Sequence, residues 1–121
     1  MEQMLSIVIP VLNEQDSLKI LYEKIMEQVG DKYLYEILFI DDGSTDQSSQ
    51  IVKELREGDK NVHLIVFRKN FGKAKALQTG FRNAQGDIII TMDADLQDDP
   101  CEIPRFVEKI NEGYDLVSGW K

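Results

Sequence analysis

The chain has 121 residues, of which 42% are hydrophobic and 30% are charged, and its formal net charge at pH 7 is −8. These values fit one globular domain, and the acidic balance argues against non-specific nucleic-acid binding, which needs a basic surface. No apolar run is long enough to span a bilayer, and the N-terminus carries no secretion signal. The single cysteine, Cys101, excludes an internal disulfide, so we expect a soluble cytoplasmic protein.

Apolar runs rich in β-branched residues predict five short strands. In chain order they cover residues 5–12, 35–40, 62–67, 88–90 and 114–118. The fourth run, Ile88-Ile89-Ile90, is typical of a strand that is buried on both faces of a sheet.

Apolar residues at helical spacing follow each of the first four strands and predict four helices, which end at Gly30, Gly58, Gly86 and Gly113. Asn13 is predicted to cap the first helix, and Ser44 with Gln47 is predicted to form a capping box for the second. The apolar stripes predicted for the third and fourth helices are Ala74, Leu77, Phe81 and Ala84, and Ile103, Phe106, Val107 and Ile110.

Strands and helices alternate strictly, which predicts an α/β fold with a parallel sheet and helices on both faces. Ligands of such sheets bind beyond the carboxyl ends of the strands, where the strand order reverses. If the order is 3-2-1-4, which we assume from the fold class, the reversal lies between strands one and four. The pairs Asn13-Glu14, Asp41-Asp42 and Asp93-Asp95 would then line one crevice.

The segment that follows the fourth strand, Met-Asp-Ala-Asp-Leu-Gln, is the strongest indication of chemistry. Asp93 and Asp95 are two residues apart, so in an extended chain their carboxylates point to the same side. Two carboxylates, together with water and substrate phosphates, are a typical Mg²⁺ site. A solvated acidic loop remains the alternative for this motif taken alone. Response-regulator receivers and haloacid-dehalogenase phosphatases also use strand-end acids, but on other strands.

Four segments together resemble the family 2 glycosyltransferases, which have the GT-A fold. They are IVIPVLNE (7–14), FIDDGSTD (39–46), RKNFGKAKAL (68–77) and MDADLQDDP (92–100), in the family's order and spacing. The DADLQ sequence is most similar to the branch that transfers sugars to polyprenyl phosphates, such as dolichol-phosphate mannose synthase. The resemblance runs from about Leu5 to the end of the chain.

The resemblance also implies site residues. Asp93 and Asp95 would be the catalytic residues, and with Gln97 they would hold Mg²⁺ or Mn²⁺. The nucleotide sugar would be bound by Pro10, Leu12, Glu14, Ile40, Asp41, Asp42, Arg68, Lys73, Asp93, Ala94 and Asp95. Within that set, Lys73 and Arg68 would face the diphosphate and Asp42 would contact the base or ribose.

The implied function is transfer of a hexose from UDP- or GDP-hexose to a polyprenyl phosphate, in a parent enzyme at the cytoplasmic face of the membrane. Residues 1–121 would be the N-terminal nucleotide-sugar-binding part of its GT-A domain, inactive alone and able to self-associate through an uncovered sheet edge around residues 114–120. Three alternatives stay open: a binding module without transfer activity, a glycosyltransferase with a saccharide acceptor, and a structural or interaction domain.

Overall fold

A computed structural model describes residues 3–97 and 99–112 of the chain. Its centre is a sheet of four strands, β1 (Met4–Val11), β2 (Leu34–Asp41), β3 (Val62–Val66) and β4 (Ile88–Thr91). Their order in the sheet is β3-β2-β1-β4, and all neighbouring strands are parallel. The assumed order and the α/β fold class are therefore confirmed, and the order reverses between β1 and β4.

Helices cover both faces of this sheet. They are α1 (Leu18–Val29), α2 (Ser48–Gly58), α3 (Lys73–Asn83) and α4 (Ile103–Asn111), and a 3₁₀ turn at Pro100–Glu102 precedes α4. The first, second and fourth helices pack on one face, where Ile7, Ile9 and Phe39 are fully buried. The third helix packs on the opposite face, against Val8 and Ile40.

Two predicted helix caps are wrong, and both residues instead join neighbouring loops. The first helix begins after Ser17, and Asn13 has a positive φ of 54° well before it. The Asn13 carboxamide oxygen accepts hydrogen bonds from the Thr45 and Asp46 N–H groups. The Ser44 hydroxyl accepts a hydrogen bond from the Asn13 N–H at 2.9 Å, so it does not cap the second helix.

The predicted apolar stripe of α3 is wrong in part. Leu77 packs against the core as predicted, but the helix approaches the sheet through its smallest residues. Ala76 and Gly80 are buried, while Phe81 is 46% exposed. Because α3 packs across β1 and β2, Ile89 of β4 is 41% exposed, and the expectation that this strand is buried on both faces fails. By contrast, the stripe of α4 forms as predicted, from Ile103, Phe106, Val107 and Ile110.

The fifth strand predicted at 114–118, the helix stop at Gly113 and the self-associating edge lie outside the described residues. Within the part of the chain that the structure describes, no helix combines the length and the apolar character needed to cross a bilayer.

Candidate functional site

A crevice of about 310 Å³ opens beyond the carboxyl ends of the strands, at the reversal of strand order. The strand ends and the loops that follow them bring predicted site residues from all four motifs to its walls. These are Pro10, Leu12, Glu14, Asp42, Lys73, Asp93, Ala94 and Asp95, joined by Val11, Asn70 and Gly72, which the sequence did not single out.

Four predicted site residues lie elsewhere. The Ile40 side chain is fully buried in the core under α3, so it offers a ligand no surface. Asp41 is 2% exposed, and its carboxylate accepts a hydrogen bond from the Ser44 N–H at 2.8 Å. Arg68 and Gln97 are exposed, but neither lines the crevice.

The ion pair between Lys73 and Asp93 crosses this crevice. The Lys73 Nζ lies 2.5 Å from the Asp93 Oδ1, and the two side chains are 59% and 25% exposed. Lys73 is also the first residue of α3, where the unpaired N–H groups of a helix give a partial positive charge. One end of the crevice thus combines a lysine with a helix N-terminus, an arrangement suited to an anion such as a phosphate.

Asp93 and Asp95 supply the carboxylates on the opposite side. Asp95 is exposed, and its Oδ1 accepts a hydrogen bond from the Gln97 N–H at 3.1 Å. Leu96, which lies between Asp95 and Gln97 in the chain, has a φ of 67°, a left-handed conformation that is uncommon for leucine. Strained backbone of this kind clusters at functional sites.

The donor set around these two carboxylates fits a hard divalent cation. Among residues 3–97 and 99–112, no three acidic, histidine or cysteine side chains form a complete metal site. Mg²⁺ and similar ions usually take only one or two carboxylates and complete their shell with water and substrate phosphates. Asp93 and Asp95, which line the crevice together with Lys73 at the N-terminus of α3, satisfy that description.

Asp42 organises the opposite rim of the crevice. It is 4% exposed, and its carboxylate accepts hydrogen bonds from the Phe71 N–H at 2.7 Å and the Gly72 N–H at 3.0 Å. Gly43 follows Asp42 in the chain, and a Cβ added there would lie 2.7 Å from the backbone nitrogen of Asn70. The Gly43 φ of 83° also favours glycine. The carboxylate therefore holds the loop between β3 and α3 in place, a role that the sequence did not predict.

Ser17 connects two of the motifs. Its Oγ lies 2.5 Å from the Ala94 carbonyl oxygen and 3.1 Å from the Glu14 Oε2. A hydroxyl has one proton, so it donates to one of these acceptors at a time. The serine thus ties the loop that carries the two aspartates to the start of α1, and only the fold reveals this.

The loops after β1 and β2 are joined along their length. Besides the contacts of Asn13, the Glu14 N–H donates to the Ser48 Oγ at 2.9 Å and the Gln15 N–H donates to the Asp46 carboxylate at 3.2 Å. Burial alone would raise the pKa of Asp46, but the hydrogen bonds from Ser48 and Gln15 outweigh it and lower that pKa. Asp46 is therefore a fixed anion that holds these two loops together.

The parallel sheet places this crevice at the switch point of the strand order, where α/β domains bind their ligands. Residues 6–121 match the sequence model of glycosyl transferase family 2. The chain belongs to that family, as its four motifs indicated.

Proteins with similar sequences are named as sugar transferases. The undecaprenyl-phosphate 4-deoxy-4-formamido-L-arabinose transferase of Klebsiella pneumoniae is 47% identical over 116 residues, which are 93% of this chain and 35% of the relative. The chain thus spans about a third of the length of such relatives.

Two solved structures share the fold. One is a mannosyltransferase of Pyrobaculum calidifontis in complex with GDP-mannose and Mn²⁺, with a TM-score of 0.70, 28% identity and coverage of 78% of this chain and 28% of the other. The other is the glucosyl-3-phosphoglycerate synthase of Mycobacterium tuberculosis with UDP, with a TM-score of 0.71, 26% identity and coverage of 92% and 41%. The GT-A fold expected from the sequence is confirmed.

Proposed function

We propose that residues 1–121 are the donor-binding part of a hexosyltransferase that uses a nucleotide-diphosphate sugar, a divalent metal and a polyprenyl-phosphate acceptor. The observation that carries this proposal is the placement of Lys73 and the N-terminus of α3 opposite Asp93 and Asp95 in one crevice. A diphosphate with its metal has the matching charges, anionic toward the lysine and cationic toward the aspartates.

The roles of the residues follow from this geometry. Asp93 and Asp95 would hold Mg²⁺ or Mn²⁺, which when bound supplies Lewis-acid stabilisation of the oxygen that leaves the sugar. Lys73 is paired with Asp93 at 2.5 Å and can turn toward a diphosphate, because its side chain is 59% exposed. There it would offset part of the negative charge that develops as the glycosidic bond breaks.

The nucleoside would lie along the ends of β1 and β2. Pro10 and Leu12 offer apolar surface, and the carboxylates of Glu14 and Asp42 accept hydrogen bonds from base or ribose donors. Asp42 has less capacity for a ligand than the sequence suggests, because two backbone N–H groups already occupy its oxygens. Glu14 is therefore the better candidate for direct recognition of the ribose or base.

The proposed acceptor is a polyprenyl phosphate, because a phosphate is already anionic at neutral pH and does not need a strong general base. The chain's one histidine, His63, lies in β3 beside Glu36 on the face of the sheet rather than in the crevice. Relatives named as undecaprenyl-phosphate transferases support the same acceptor class. An acceptor of this kind would bring the parent enzyme to the cytoplasmic face of a membrane.

Calorimetric titration of UDP and of GDP, each with and without Mn²⁺, tests this proposal. We expect Mn²⁺ to tighten the binding of one nucleotide. Asp95→Asn should weaken binding in the presence of Mn²⁺ at least tenfold, because a neutral amide is a poor ligand for a hard cation. Metal-free binding should be unchanged in this variant. The matched control is Asp16→Asn, which neutralises an exposed acid outside the crevice. Equal Mn²⁺-dependent affinity in Asp95→Asn and the wild type would contradict the proposed metal site.

A further inference from the structure

The loop between β3 and α3, residues 67–72, presents an aromatic ring and cationic side chains to solvent. Phe71 is 53% exposed, although phenylalanine usually lies inside a protein. The Lys69 Nζ lies 5.3 Å from the centre of its ring, and Phe67 packs against it edge to face at 5.6 Å. The exposed ring is thus held in a defined position rather than left without contacts.

The surrounding segment carries a charge opposite to that of the chain. Residues 61–86 contain five basic residues and no acidic one, in a chain whose net charge is −8. Four of the five lie at positions 68–75, in and just after this loop. Arg68 and Lys75 have no ion-pair partner among residues 3–97 and 99–112. The loop therefore presents uncompensated positive charge.

The loop also lies on the rim of the crevice. Asn70 and Gly72 line the crevice, whereas Lys69 and Phe71 do not. Two further exposed apolar side chains lie at the same end of the sheet: Leu12, 41% exposed after β1, and Val66, 51% exposed at the end of β3. Apolar and cationic groups thus lie at the same end of the sheet as the crevice.

We infer that the β3–α3 loop docks this domain on an anionic lipid surface, with Phe71 at the level of the headgroups and the basic side chains against lipid phosphates. Aromatic and basic side chains on one surface are the combination that interfacial membrane binding uses. An acidic protein with an apolar patch would also match these groups, but the lipid acceptor of the proposed function favours a lipid surface. The inference deepens the proposed function and rests on it, because the proposed lipid-phosphate acceptor is the reason why the crevice should open toward lipid.

Electrostatics limit how the domain can approach. Glu14 and Asp95 also border the crevice, and an anionic surface would repel them. Because the Debye length at physiological ionic strength is about 8 Å, a surface touched by the loop is screened from acids farther away. We therefore expect contact through the loop rather than through the whole end of the sheet.

Co-sedimentation with vesicles tests this inference on the chain as it stands. Wild-type protein should bind vesicles of phosphatidylcholine with about a third phosphatidylglycerol, and this binding should fall strongly in pure phosphatidylcholine and in ~0.5 M salt. Lys69→Gln should weaken the binding about fivefold, the usual effect of one charge near such a surface. Phe71→Ser should weaken it about tenfold through lost apolar contact.

The matched control is the double variant Phe81→Ser/Arg82→Gln. It removes a similarly exposed ring, 46% against 53% for Phe71, and a positive charge at the other end of α3, about 12 Å along the helix from Lys73. This control should bind anionic vesicles as the wild type does. Wild-type protein that fails to sediment with anionic vesicles would overturn the inference, and so would an equal loss of binding in the control and the loop variants.

Nucleotide binding measured without vesicles separates this inference from the proposed function. The double variant Lys69→Gln/Phe71→Ser should retain the Mn²⁺-dependent affinity of the wild type, because neither side chain lines the crevice. If the protein binds vesicles through the loop but binds no nucleotide, the proposed function fails and the docking surface stands.

Discussion

Gly80 is the position where α3 comes closest to the sheet, and Gly80→Ala tests how that contact is built. A Cβ at this position would lie 2.3 Å from the Cγ1 of Val8. Carbon atoms pack at about 3.5–4.0 Å, so either side must move by more than ~1 Å. Val8 is fully buried and its strand is paired with β2 and β4, so we expect the helix to move.

The expected loss of stability follows from two opposing terms. Forcing an extra carbon into a packed core costs about 1–3 kcal/mol, and an overlap this large belongs at the upper end of that range. Replacing glycine by alanine inside a helix returns about 1 kcal/mol through helix propensity. The free energy of unfolding should therefore fall by about 2 kcal/mol, measured by urea denaturation followed by circular dichroism.

Gly58→Ala is the matched control. Gly58 is the last residue of α2, and a Cβ there would meet nothing within 4 Å. This variant should be stabilised by about 0.4–1 kcal/mol, because it only reduces the freedom of the unfolded chain. A Gly80→Ala protein as stable as Gly58→Ala would refute the close approach of α3 to the sheet. Since α3 begins at Lys73, the displaced helix should also weaken metal-free binding of nucleoside diphosphate.

Two further predictions concern charged groups. Burial alone would raise the pKa of Asp59, but the hydroxyls of Tyr35 and Tyr22, each donating to it at 2.7 Å, lower that pKa. Asp59→Asn should therefore cost stability at pH 7, and urea denaturation should show the difference vanishing as pH falls through the lowered pKa. Burial and the hydrogen bond to Asp59 raise the pKa of Tyr35 to about 12. The contribution of this hydrogen bond to the free energy of unfolding is therefore complete below ~10, the usual tyrosine pKa, and is lost as pH rises through about 12. Separately, Lys73→Gln should let Mn²⁺ alone bind up to about fivefold tighter, because the pair with Asp93 no longer competes, while nucleoside diphosphates bind more weakly. Calorimetric changes of the same sign for both ligands would contradict this assignment of Lys73.

The strands of the sheet could be predicted because hydrophobic periodicity decides them, whereas the strand order came from the fold class. The β1 residues Ile7 and Ile9 lie on one face and Val8 on the other, as a two-residue period requires. The stripe of α3 could not be predicted this way, because Gly80 contributes by lacking a side chain, and a search for large apolar residues favours Phe81 instead. Close packing through small residues leaves no hydrophobic signal in a sequence.

The crevice could be predicted from strand ends, but the contacts that shape it could not. Asn13 and Ser44 are residue types that favour helix caps, but the partners of their side chains are 31 to 33 residues away in the chain. Asp42 has the same ambiguity, because a strand-end carboxylate can face a ligand or a neighbouring backbone. The partner of such a side chain depends on which other loop approaches it, and the local sequence carries no information on the position of that loop.

The two sides of the crevice differ in how they are fixed, and this bears on how a donor would bind. On the nucleoside side, the Asn13 carboxamide and the Asp42 carboxylate lock three loops together through backbone N–H groups. On the metal side, the aspartate loop is tied to α1 through the Ser17 hydroxyl, and it contains Leu96 in a left-handed conformation. A surface that is already in place needs little ordering of loops and side chains when a ligand binds. The aspartate loop, with its strained residue and its ion pair, must instead exchange existing contacts for contacts with the ligand. If the proposed function holds, the nucleoside end would therefore need less ordering than the metal end, and Lys73 would have to leave Asp93 to reach a diphosphate.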